Sequence, residues 1–94
     1  MRPEIQVGRL VRAKAGRDAG KYFTVVQVVD ENYVYIADGS SRRLANPKLK
    51  KNKHLDVMPQ LLEVIAEKIL NDQKVFDAEL KKAINISAIN AKEE

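Results

Sequence analysis

The stretch "AGRDAGKYF" (15–23) sets two glycines and a lysine where a loop could wrap a phosphate. A nucleotide-cradling loop of that kind needs four residues between its glycines, a Ser or Thr after the lysine to hold magnesium, and a helix immediately downstream. Here three residues separate Gly16 from Gly20, Tyr22 follows Lys21, and the next segment is β-branched. The motif therefore reads as a glycine-bounded turn between two strands, with Gly20 left-handed, Asp18 able to close the turn through its side chain, and Arg17 and Lys21 projecting from the tip. The other chemistry-bearing residues are also cationic: the pair Arg42-Arg43, then Lys48, Lys50, Lys51 and Lys53. Catalytic alternatives lack parts. The chain has no cysteine, Ser40 and Ser41 lie in a turn without a base, and His54 is a lone histidine with no partners for a metal or a proton relay. The expectation is a non-enzyme without cofactor or metal.

The cations are unevenly placed. Residues 1–54 carry twelve Lys or Arg against five acids, whereas residues 55–94 carry five against eight, so a segment of charge +7 precedes one of −3. These segments are charged for different partners, and the basic one reads as a surface for a polyanion, most economically nucleic acid. Phosphate contacts would come from Arg17, Lys21, Arg42, Arg43, Lys48, Lys50, Lys51 and Lys53, the arginines pairing through a planar fork and the lysines as point charges. Arg9, Arg12 and Lys14 read instead as the solvated side of a strand, and Tyr33 and Tyr35 either pack across strands or stack on unpaired bases.

The elements that carry these residues follow from periodicity. In "GRLVRAKAG" (8–16), Val11, Ala13 and Ala15 alternate with Arg12 and Lys14, and Leu10 is the one residue out of phase. "KYFTVVQVV" (21–29) is rich in β-branched and aromatic residues, "DEN" (30–32) is a turn, and "YVYIA" (33–37) is a third strand with Val34 and Ile36 on one face. "DGSS" (38–41) turns the chain, "RRLAN" (42–46) is a short fourth strand, and "NPKLKKNKH" (46–54) is a basic loop. From Pro59, placed in a first helical turn, the period becomes 3.6: Leu61, Leu62, Ile65, Ile69 and Leu70 form one stripe. A second helix over 77–85 is expected to take Asp77 as its cap and to align Leu80 with Ile84, with the last nine residues fraying. Strands followed by helices make a mainly β fold with an α appendage. At 45% apolar and 32% charged residues the chain is globular. The absence of a signal-peptide run or an apolar span makes a cytoplasmic, membrane-free protein the expectation.

The ordered series "VGRLVRAKAGRDAGKYFTVVQVVDENYVYIADG" and "SSRRLANPKLKKNKHL" resembles a KOW-type RNA-binding domain. It is similar to the bacterial KOW-domain proteins related to the archaeal and eukaryotic large-subunit ribosomal protein family fourteen-e. The features that match are the strand "GRLVRAKAG", the turn Gly16 to Gly20, the apolar run to Val29, the "DEN" turn, Asp38-Gly39, Arg42-Arg43 and the closing "KHL" at Lys53 to Leu55. The resemblance covers about residues 5–57. It implies a small SH3-like barrel of about five strands, with a fifth near Lys53–Val57, and binding to structured, usually ribosomal, RNA. The family often has a Ser or Thr ahead of the second helix, where this chain has Phe76.

The resulting expectation is a barrel at 1–57 and a two-helix extension at 58–94. The protein would bind RNA, on or with the ribosome and beside ribosomal proteins, through the basic loops of the barrel. The competing reading is a protein-interaction adaptor of transcription or translation that uses the barrel and the helices, and the lysine run is what such an adaptor would not need. The helical stripes pack on the barrel, dimerise or hold a partner, so monomer and dimer both stay open.

Overall fold

Alternation and β-branching place three strands where the sequence reading expects them in the computed structural model, which describes residues 3–92. These are β1 (Arg9–Ala13), β2 (Tyr22–Val28) and β3 (Tyr33–Ala37). Two more strands, β4 (Lys48–Lys51) and β5 (Leu55–Leu61), flank a single 3₁₀ turn at Asn52–His54. All five form one antiparallel sheet in the order β4-β3-β2-β1-β5. Helices α1 (Glu63–Leu70) and α2 (Asp77–Lys92) follow, so the fold is mainly β with a helical C-terminal part.

Period-two alternation buries Val11 and Ala13 with Phe23, Val25, Val34, Ile36 and Leu55 on one face of the sheet. Leu10, out of phase with that set, is on the other face and equally buried. It shares a second cluster with Ala37, Leu62, Ile65, Leu80 and Ile84, so the helices pack directly on the sheet. A strand buried on both sides has no reason to alternate strictly, which explains the apparent misfit. Ala15, expected among the inward residues, is exposed in the turn that follows β1.

Several expectations are corrected. The "RRLAN" segment is a turn, and the lysine run beginning at Lys48 is the fourth strand, paired Ile36↔Lys48 and Val34↔Lys50. β4 is an edge strand, where lysines are tolerated and blunt the open edge against further pairing. The fifth strand runs past residue 57 to Leu61 and includes Pro59, which therefore does not open a helix. β5 is the other edge, and its register against β1 shifts between Arg9 and Val11. Proline fits at such an irregularity because it gives up no ladder bond there, and Arg9 donates from Nη1 to the Pro59 carbonyl at 2.8 Å.

The remaining corrections concern the helices. Asp77 does not cap α2: its carboxylate accepts a bond from the Leu44 N–H at 2.8 Å, 33 residues away. Glu79 reaches back instead, accepting from the Phe76 N–H at 3.5 Å. Its other oxygen accepts from Lys68, and this bond holds the Glu79 carboxyl below its ordinary range. The helix continues to Lys92, beyond the expected end at 85, because Ala88 and Ala91 extend the Leu80–Ile84 stripe. Residues 93 and 94, part of the segment expected to fray, lie outside the described residues. Of the expected stripe, Leu61 belongs to β5, Leu62 immediately precedes α1 and packs with Ile65 and Ile69, and Leu70 is 72% exposed.

Two glycines let the helices approach. Gly8 has φ +90°, and a Cβ there would run into the Ala66 side chain and stand 3.2 Å from the Leu62 carbonyl oxygen. Gly39, with φ +79°, faces the Asp77 carbonyl in the same way. Gly8→Ala is expected to destabilise the protein by about 2–4 kcal/mol, combining the left-handed backbone cost with overpacking. Leu80→Ala, at a site with no exposure, is expected to cost about 2–5 kcal/mol. Urea unfolding monitored by circular dichroism reads both, and losses below about 1 kcal/mol would show that helix docking contributes little to this fold.

Candidate nucleic-acid interface

The turn between β1 and β2 is closed by its backbone. Gly20 N–H donates to Ala13 O at 2.8 Å, and Lys21 N–H donates to Asp18 O at 2.9 Å. The Asp18 side chain is therefore not used for the turn and meets two ammonium groups, Lys48 at 3.3 Å and Lys21 at 3.7 Å. Lys50 lies beside them, its Nζ 3.9 Å from where a Cβ on Gly16 would stand. Because Lys48 and Lys50 pair with Ile36 and Val34, their stems run along the core face of β4 and their charged ends emerge at the turn. This joins Lys21, Lys48 and Lys50 in one cluster, with Arg17 exposed on the same turn. Arg17 and Lys50 form no ion pair among the described residues.

Arg42 and Arg43 lie on the segment between β3 and β4, not on a strand. Asp38 organises that segment: Oδ1 accepts from the Ser40 N–H at 2.9 Å and the Arg42 N–H at 2.8 Å, and Oδ2 accepts from Ser41 Oγ at 2.7 Å. Partial burial pushes the Asp38 carboxyl upward, but the Arg42 and Ser40 N–H groups and the Ser41 hydroxyl outweigh it and leave it below the ordinary aspartate value. The Arg42 side chain is half-buried and Arg43 is exposed. A cleft of about 450 Å³ lined by Lys21, Tyr22, Asp38, Ser40, Lys81 and Asn85, among others, runs between this segment, the start of β2 and α2.

The last two candidates are elsewhere. Lys51, on the outer face of β4, sits over the Tyr33 ring at 5.9 Å, and Lys53 is exposed in the 3₁₀ turn. With Asn32, Tyr33 and Asn52 they line a separate groove of about 240 Å³. The sequence holds no local signal for this groove, because Asn32 and Asn52 meet only when the Asn52 N–H donates to the Asn32 carbonyl at 2.8 Å. Of the cations read as a solvated strand face, Arg9 is committed to the Glu4 and Pro59 carbonyls and Lys14 faces Asp56 at 3.6 Å. His54 contributes its carbonyl to the Lys14 N–H. Among the described residues there is no group of three or more potential metal ligands, and no helix is long and apolar enough to cross a membrane.

The chain is 36% identical over 87 residues to large ribosomal subunit protein eL14 of Hyperthermus butylicus, covering 87% of this chain and 76% of that protein. It belongs to the eL14 family. The eL14 of Pyrobaculum calidifontis is 34% identical over 79% of this chain and 70% of its own length. For that of Staphylothermus marinus the identity is 29%, over 66% of this chain and 65% of that protein. No protein-family model matches the chain.

Asp38→Ala removes three accepted hydrogen bonds, and is expected to destabilise this eL14-family protein by about 1–3 kcal/mol at pH 7. An acid depressed in the folded state contributes stability above its ordinary pKa and loses it as pH falls through the folded value. The gap between native and variant should therefore narrow below about pH 4. Thermal melts from pH 7 to pH 3 test this, and a gap independent of pH would show that the ionised carboxylate is not the stabilising form.

Proposed function

We propose that this chain is a non-catalytic RNA-binding protein of the cytoplasmic ribosome, holding ribosomal RNA through the basic rim of a KOW-type, SH3-like barrel. The observation that carries this reading is the convergence of Lys21, Lys48 and Lys50 on the β1–β2 turn. Like charges are brought together there at a Coulombic cost that Asp18 offsets only in part, an arrangement that a polyanion would complete. Membership of a family whose relatives are named as large ribosomal subunit proteins supports the same reading. Arg17, Arg42, Arg43, Lys51 and Lys53 extend the contact, and Arg42 and Arg43 supply the bidentate phosphate partners.

In this reading the barrel, expected over residues 1–57 and carried by β5 to Leu61, is the RNA module, and α1 and α2 are an extension that braces it. The helices also leave Val64, Leu70, Phe76, Ile86 and Ile89 exposed on the acidic part of the chain. That surface favours contact with neighbouring ribosomal proteins rather than with RNA, and is what the adaptor alternative would use.

Combined charge reversal of Arg17, Lys21, Arg42 and Lys50 to Glu is expected to weaken binding to ribosomal RNA by at least about a hundredfold at low salt. It should also lower the slope of log K against log salt by about one for each phosphate no longer bound. Filter binding and co-sedimentation with ribosomes across a salt series measure both. Affinity and slope unchanged by the reversal would leave the adaptor reading in its place.

A further inference from the structure

The groove beside Tyr33 differs in kind from the lysine cluster at Asp18. Its walls are one half-buried aromatic ring, two asparagines and two lysines, which is a set suited to a nucleobase and its phosphate rather than to phosphate alone. Asp30, just before the groove residues Asn32 and Tyr33 in the chain, is spent on its own turn, accepting from the Asn32 N–H at 2.8 Å and the Tyr33 N–H at 2.9 Å. Lys51 and Lys53, the charged residues of the lining, form no ion pair among the described residues.

The two asparagines differ in reach. Asn52 donates from Nδ2 to the Glu31 carbonyl at 2.8 Å, while its Oδ1 is buried and accepts nothing. The Asn32 side chain is exposed, and it is the Asn32 backbone that bonds to Asp30 and Asn52. Lys51 rests over the Tyr33 ring near the outer limit for a cation–π contact. An exposed lysine held that weakly can exchange the ring for a phosphate.

We propose that this groove seats one unpaired RNA nucleotide, its base on Tyr33 and against the Asn32 amide, its phosphate on Lys51 and Lys53. The site rests on the RNA-binding reading above but adds to it a preference for single-stranded over paired RNA. Phosphate contacts alone would not produce that preference.

The test compares single-stranded oligouridylate with a blunt RNA duplex carrying the same number of phosphates. Tyr33→Ala should weaken oligouridylate binding by about 5- to 100-fold, the worth of one base–aromatic stack. It should leave the salt slope and duplex binding unchanged, whereas Tyr33→Trp retains the native affinity for both. A photocrosslink from 5-iodouridine in the single strand should map to Tyr33 in the native protein. Equal loss on both RNAs would make Tyr33 a structural residue and overturn the site, as would native affinity in Tyr33→Ala or a crosslink that maps elsewhere. A native protein that binds neither RNA would overturn the RNA-binding reading and this site with it. Native binding to both RNAs that is indifferent to Tyr33 would overturn the site alone.

Discussion

Everything in this molecule depends on one five-stranded sheet being covered on both faces. The inner face closes on Phe23 and its neighbours. The outer face presents Leu10 and Ala37, which would meet water without Leu62, Ile65, Leu80 and Ile84 laid over them. A chain of this length has little apolar surface to spare, so two small cores sharing a sheet use it more completely than one barrel with a detached tail would. The helices are thus part of the structure that holds the basic turns in place.

The same economy separates charge from burial. The sheet's edge at β4 faces no further strand, and lysines occupy it. They guard against edge pairing, and the stems of Lys48 and Lys50 shield the core while their ammonium groups are delivered to the β1–β2 turn. Asp18, held by the same turn, keeps two of them in register without neutralising the cluster. The acidic residues collect on the helical side, and one of them, Asp77, is tied to the segment that bears Arg42 and Arg43.

What was legible in the sequence was local. β1 to β3, their inward residues apart from Ala15, the "DEN" and "DGSS" turns and the Leu80–Ile84 stripe all depend on neighbours a few positions apart, and lie where period and turn chemistry put them. The failures were non-local. A lysine-rich segment can be a strand when a partner such as Val34 or Ile36 supplies the ladder, and a proline can sit in a strand when that strand is an edge. Asp77 had the residue type and position of a cap but found a better use 33 residues away. Of the candidate cations, their identity was visible from composition. Their division into the Asp18 cluster, the arginine segment and the Tyr33 groove was not, since it is set by how the sheet folds over itself.

The two-sided strand β1 also sets an order in time. Synthesis proceeds from the N-terminus, so Leu10 is made about seventy residues before Leu80 and Ile84, which cover it. The outer face of β1 therefore stays bare until the helical residues have been made, and the two cores can close only in that order.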